Sequence, residues 1–309
     1  MQRLLVVLIV VMLVTVNVAA QKAGEDAVAD VPGVSVTCEN GTTFNNGVEV
    51  TVIQMRSGYT YQATVLGMNG FDPVLAVLDE EGNGICTDDS VDAAEYSAYL
   101  PTTDLVDVSV LNSQVFFENT ATDAFANISL VVGGYGDQPG EFVLILEGMY
   151  VDPNYDGMGD PFSVYVTSDM VLSGVPLTVY AIADFPPSGG SWLDPLMQLV
   201  NITDAGYEDV YDSSDNLVYC DDSGSETLCW SGAIEMDLDG NEIYDDYYVT
   251  IDNGETLLPV GGLDSILTIP LGEEDASGYY TFVTTSYNQS SSGYYVMVFH
   301  IGNGELEDK

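Results

Sequence analysis

Basic residues are almost missing from this chain. Its 309 residues hold 4 Lys and Arg against 49 Asp and Glu, for a formal net charge of −45. Nucleic acid and anionic membrane surfaces both need positive patches, so neither is an expected partner. Histidine is down to His300, which leaves the usual general base and zinc ligand at one position only. That position lies in an apolar strand pattern, Met297-Val298-Phe299-His300-Ile301, where the residue reads as structural. No Gly-x-Ser-x-Gly elbow, HExxH pair or phosphate loop occurs, so the chain reads as non-enzymatic. Paired carboxylates of glycosidase type carry no weight among 49 acids, because some pair always has a suitable separation. Helical periodicity is lacking beyond the N-terminus, and so is any further apolar run that could span a bilayer.

What is present is a large apolar fraction, 46 %. That excludes a disordered acidic tail and implies a folded core under an acidic skin. Such a skin repels itself at low ionic strength and attracts divalent cations. Arg3, the apolar run Leu4 to Val14 and the small residues Val18-Ala19-Ala20 predict a signal peptide over 1–20, with an uncleaved anchor as the alternative. The expected location is therefore outside the cell or on its surface, with no membrane insertion once the signal is removed. Residues 21–33 read as a flexible segment. Four cysteines in a secreted chain favour two disulfides and allow three pairings. Locality favours Cys38 with Cys86 and Cys220 with Cys229.

Two stretches of the chain match each other. Asp72-Pro73-Val74-Leu75 leads to Cys86-Thr87-Asp88-Asp89, and Asp194-Pro195-Leu196-Met197 leads to Cys220-Asp221-Asp222. Ser57-Gly58 parallels Ser173-Gly174, and Gly140-Glu141-Phe142-Val143 parallels Gly293-Tyr294-Tyr295-Val296. The offset grows from 116 (173 − 57) to 153 (293 − 140), so the second copy carries insertions. Internal repeats decide architecture first. Val48 to Val52 alternates, as do Tyr59, Tyr61, Ala63 and Val65, and strand signals return at Asn127 to Val132 and Phe142 to Leu146. Short strands between Gly, Asn, Asp and Ser clusters predict an all-β fold of two tandem sandwiches. The expected boundaries are domain 1 over 34–150, an acidic linker over 151–161, domain 2 over 162–304 and a tail over 305–309.

These motifs resemble the bacterial pre-peptidase C-terminal domain family, which includes the collagen-binding domains of clostridial collagenases. The matching residues are Asp72 to Leu75, Asp79 to Gly82, Asp88-Asp89 and Gly140 to Leu144, then Asp194 to Met197, Asp221-Asp222 and Gly293 to Met297. The resemblance covers roughly residues 45–150 and 162–302. It implies jelly-roll-like sandwiches without catalysis, often appended to secreted peptidases. Two departures stand out: this chain carries no peptidase domain, and the insertion around Trp230 to Leu267 has no counterpart in the family pattern.

Candidate metal ligands lie first between the copies. Asp152, Asn154, Asp156, Met158 (through its carbonyl) and Asp160 follow calcium-loop spacing, with Gly157 at the turn and Ser163 where a bidentate Glu would stand. The alternative is a plain acidic linker. A second run, with Glu235 first, offers Asp237, Asp239, Asn241 and Asp246. Asp88-Asp89 and Asp221-Asp222 can meet Asp72 and Asp194 in space, as turn caps or as metal ligands. The expected cofactor is structural Ca2+. Tyrosines cluster in copy two, and Trp230, Tyr244, Tyr247 and Tyr248 are the candidate ligand-binding face; the alternative is that half of each adjacent pair is core. Asn40, Asn127, Asn201 and Asn288 begin glycosylation sequons.

The sequence thus predicts a secreted, non-catalytic, calcium-stabilised binding or adhesion protein acting on an extracellular protein or polysaccharide. The alternatives are a structural subunit of a surface layer, sheath or filament, and a carbohydrate-binding accessory of a secreted hydrolase.

Overall fold

The computed structural model describes residues 33–38, 41–68, 70–89, 97–99, 105–107, 111–152, 159–166, 177–183, 193–203, 206–211, 215–221, 264–269, 278–287 and 291–302. The expected signal peptide, the segment 21–32 and most of the second copy's insertion lie outside these residues. The first repeat contributes β1 (Val34–Thr37), β2 (Thr43–Arg56), β3 (Thr60–Met68), β4 (Pro73–Leu78), β5 (Gly84–Thr87), β6 (Ser97–Tyr99), β7 (Leu105–Asp107), β8 (Ser113–Glu118), β9 (Phe125–Gly134) and β10 (Glu141–Val151). The second contributes β11 (Asp160–Val166), β12 (Leu177–Ala183), β13 (Pro195–Thr203), β14 (Gly206–Asp209), β15 (Tyr219–Cys220), β16 (Ser265–Ile269), β17 (Gly278–Ser286) and β18 (Gly293–Ile301). The all-β expectation holds.

Sixteen of these strands form two antiparallel sheets, and β6 and β7 pair as a separate two-stranded ribbon. One has ten strands along the path β14-β13-β17-β11-β2-β9-β4-β5, with β1 on β2 and β15 on β13. The other has six, in the order β16-β12-β18-β10-β3-β8. The sequence reading placed the repeats in two sandwiches in series. Instead they lie side by side, and both sheets run through the joint: β2 pairs with β11 and β10 with β18. One apolar cluster fills the space between the sheets, from Leu75, Val115 and Leu130 through Val50, Phe162, Leu144 and Phe299 to Met197, Leu267 and Phe282.

The register exposes a pseudo-two-fold axis. Thr51 pairs with its own counterpart Ser163, and Ile145 with its counterpart Val298. On either side of the first pair the outer face repeats one hydroxyl contact: Thr51 Oγ1 lies 3.4 Å from Ser129 Oγ, and Ser163 Oγ lies 2.6 Å from Thr281 Oγ1. β10 carries a bulge between Leu146 and Met149. Gly148 sits there at φ 93°, where an added Cβ would lie 2.9 Å from the Thr60 carbonyl oxygen. That close approach in the left-handed region explains the glycine.

β4 begins with Pro73, which suits a proline because the first strand position needs no donor there. The strand is apolar on both faces. Leu75 and Val77 enter the main core, while Val74 and Ala76 pack with Val36, Cys38, Phe44 and Val131 under β1.

Candidate metal centre

Three loops converge at the outer corner of the first repeat. Asp72 precedes β4, and its carbonyl accepts the Tyr135 N–H at 2.9 Å. Asp88 and Asp89 follow β5. The turn between β1 and β2 brings Thr42, whose hydroxyl reaches Asp88 Oδ2 at 3.5 Å. The Cys38–Cys86 disulfide ties that turn to β5, as the sequence reading expected. One carboxylate oxygen from each of Asp72, Asp88 and Asp89 lies within 4.8 Å of the others.

The electrostatics of this corner are unfavourable for bare carboxylates. Burial, then the charge of Asp89, raises the Asp72 carboxyl above its usual range. Burial, then Asp89 and Asp72, raises Asp88, with the Thr42 contact opposing. Oδ1 of Asp72 and Oδ1 of Asp88 are enclosed and accept no hydrogen bond. Of the four basic residues in the chain only Arg56 is among the described ones, and it lies over the Tyr150 ring at 5.1 Å instead. Enclosed oxygens with shared negative charge are what a hard cation satisfies, and calcium accepts such mixed oxygen sets.

Ser113, the first residue of β8, fixes the loops. Its hydroxyl lies 2.8 Å from the Pro73 carbonyl oxygen, 3.2 Å from that of Thr87, and against that of Asp88. The second repeat has the same device. Ser265 Oγ lies 2.6 Å from Pro195 O, 2.9 Å from Cys220 O and 3.4 Å from Asp221 O. Its hold on these two loops makes Asp194 and Asp221 the counterparts of Asp72 and Asp88; Asp222 lies outside the described residues. Neither serine was singled out from sequence, because each opens a short strand far from the Asp-Pro pair and no fixed spacing marks it.

These contacts correct one alignment. Cys86 and Cys220 are not equivalent. Thr87 pairs with Leu75, and Cys220 pairs with Met197, the counterpart of Leu75. The one-residue shift turns the side chains to opposite faces. Cys86 packs with the cluster under β1, whereas Cys220 is in the main core. Cys220 is disulfide-bonded, and Cys229, its expected partner, lies outside the described residues.

Of the joint loop, Asp152 and Asp160 are described, while Asn154, Asp156 and Met158 are not. Asp160 opens β11, buried, and its Oδ2 accepts the Tyr295 hydroxyl proton at 2.7 Å. Ser163 is buried against Thr281. Asp237, Asp239, Asn241, Asp246, Trp230, Tyr244, Tyr247 and Tyr248 all lie outside the described residues. The tyrosine pair at the start of β18 divides as adjacent strand residues do: Tyr295 is fully buried, and Tyr294 is exposed with its edge toward Tyr150 at 4.8 Å. His300 lies buried in β18, and desolvation pulls its pKa down to about 4. Leu267, expected within the insertion, belongs to β16, the counterpart of β8.

Comparison with protein families, with curated proteins and with solved structures finds no match to this chain.

Proposed function

We propose that this chain is a secreted, non-catalytic binding or adhesion protein whose sandwich is braced at one corner by Ca2+. The observation that carries the reading is the convergence of Asp72, Asp88 and Asp89 within 4.8 Å without a basic partner among the described residues. The triad is preferred to the loop from Asp152 to Asp160, because Asp160 is committed to Tyr295. The resemblance to pre-peptidase C-terminal domains supports a jelly-roll-like ancestry for each repeat and a binding role for the pair. The ligand class is an extracellular protein or polysaccharide, engaged through loops on a rigid scaffold, where recognition is usually carried. In this reading His300 is a core residue.

The test is a calorimetric titration of the full chain with Ca2+ and, separately, with Mg2+, alongside thermal melts in chelator. Ca2+ is expected to bind and to raise the melting temperature. Asp88→Asn should abolish that component, while its melting temperature in chelator equals or exceeds wild type because one repelling charge is gone. No heat and no stabilisation in wild type would reject the cation. Saturable retention on collagen or a polysaccharide column tests the binding role; no retention on any such matrix argues against it.

A further inference from the structure

We infer that Ser113 is a positioning residue for this cation site, holding its carboxylates at binding distance through the main chain. The inference rests on the reading of Asp72, Asp88 and Asp89 as a metal centre. The fully buried Ser113 hydroxyl touches no carboxylate. It instead bridges the carbonyl of Pro73, the residue after Asp72, and the carbonyls of Thr87 and Asp88. The two loops come from different strands and bring mutually repelling side chains together. A single hydroxyl thus opposes the separation that the charges favour.

The hydroxyl has one proton to give and three carbonyl oxygens around it. The carboxylates held together this way include the enclosed Oδ1 atoms of Asp72 and Asp88, which accept no hydrogen bond. Removing the hydroxyl lets the loops part, so the cation must close them itself at the expense of affinity.

Ser265 supplies an internal control. It makes the same three contacts in the second repeat, on the far side of the pseudo-two-fold axis. Ser113→Ala and Ser265→Ala should cost similar stability in chelator, since each removes one buried hydroxyl with the same partners. Only the first should alter the Ca2+ component that Asp88→Asn removes. Ca2+ titration of the full chain should show that component weakened about five- to tenfold in Ser113→Ala and changed less than twofold in Ser265→Ala. Ser113→Cys, nearly isosteric with a weaker donor, should fall between, and it stands in if Ser113→Ala does not fold. Wild-type binding with unchanged affinity in a folded Ser113 variant overturns this inference alone. Equal weakening by Ser265→Ala overturns it too, since the effect is then general destabilisation. Absence of wild-type binding overturns the metal centre and the positioning role together.

Discussion

Phe162→Ala tests whether the two repeats are one cooperative body. Phe162 is fully buried in β11, with its ring 6.0 Å from that of Phe299. Its backbone neighbours are Phe282 on one side and Val52, from the first repeat, on the other. Truncating a buried phenylalanine costs about 3–5 kcal/mol, through lost transfer energy and the cavity left behind. At roughly 2–4 °C per kcal/mol for a chain of this size class, the melting temperature should fall by about 10 °C. The distribution of the loss is more telling than its size. If one core serves both repeats, amides of β4 and of β12 should lose hydrogen-exchange protection by the same free energy. Calorimetry should show one transition, shifted whole. Leu75→Ala, at the far end of the same core, should give the mirror result. The reasoning fails if β4 keeps its wild-type protection in Phe162→Ala while β12 loses it. Calorimetry would then show two transitions, only one of them moved, and the shared sheets would be mere contact.

Other consequences follow from buried groups. Burial holds His300 at about 4 in the folded state against 6.5 when free, so the unfolded chain binds the extra proton between those values. Stability should therefore fall as pH drops from about 6.5 toward 4, by about 1.4 kcal/mol per pH unit and about 3 kcal/mol in all. His300→Leu should remove that slope from urea unfolding midpoints; an unchanged difference across this range would refute it. Asp72 and Asp88 act with the opposite sign: burial, then neighbouring negative charge, raises their folded values, so acid relieves both costs at this corner. Replacing Cys38 and Cys86 by serine opens a link across 48 residues and should cost about 4 kcal/mol by loop-closure entropy. It should also weaken Ca2+ binding, since Cys86 lies two residues before Asp88, and titration of the folded variant reads this directly.

The parts of the fold legible in sequence are those set by side-chain pattern. β3 alternates, with Tyr61, Ala63 and Val65 inward. β4 reads as buried on both faces from Pro73 to Leu78, and the hairpin after it from Asp79 to Gly82. The meeting of Asp72 with Asp88-Asp89 followed from the repeat. The joint was not legible, for a physical reason. An edge strand and a central strand show the same alternation, because the hydrogen-bonding edge lies in the plane of the sheet and side chains point out of it. Nothing in Val48 to Val52 or in Phe162 to Val164 says whether water or another strand lies beside it. The phase of Cys86 against Cys220 was hidden similarly. The cysteines stood as the anchor of the alignment, while the shared structural element was the acidic pair after them.

The axis also bears on what kind of protein this is. The duplicated repeat gives the six-stranded sheet two ends built from equivalent strands, β8 and β16. Here the ends of the six-stranded sheet have diverged. Thr64 and Tyr180 are counterparts, pairing with Ile145 and Val298 respectively, so Gln114 matches Ile266 and Phe116 matches Thr268. Phe116 is 57 % exposed on β8, whereas Thr268 on β16 is 8 % exposed beside the buried Ile266 and Tyr180. The connection into β16, 221–264, is also longer than that into β8, 88–112. Among the described residues the two ends thus differ in what their outer faces leave exposed. Two different edges can still join head to tail, and such contacts extend into a filament wherever the rotation does not close a ring. Polymerisation that grows with concentration, read by sedimentation, would therefore favour the lattice reading, and a single species at all concentrations the binding one.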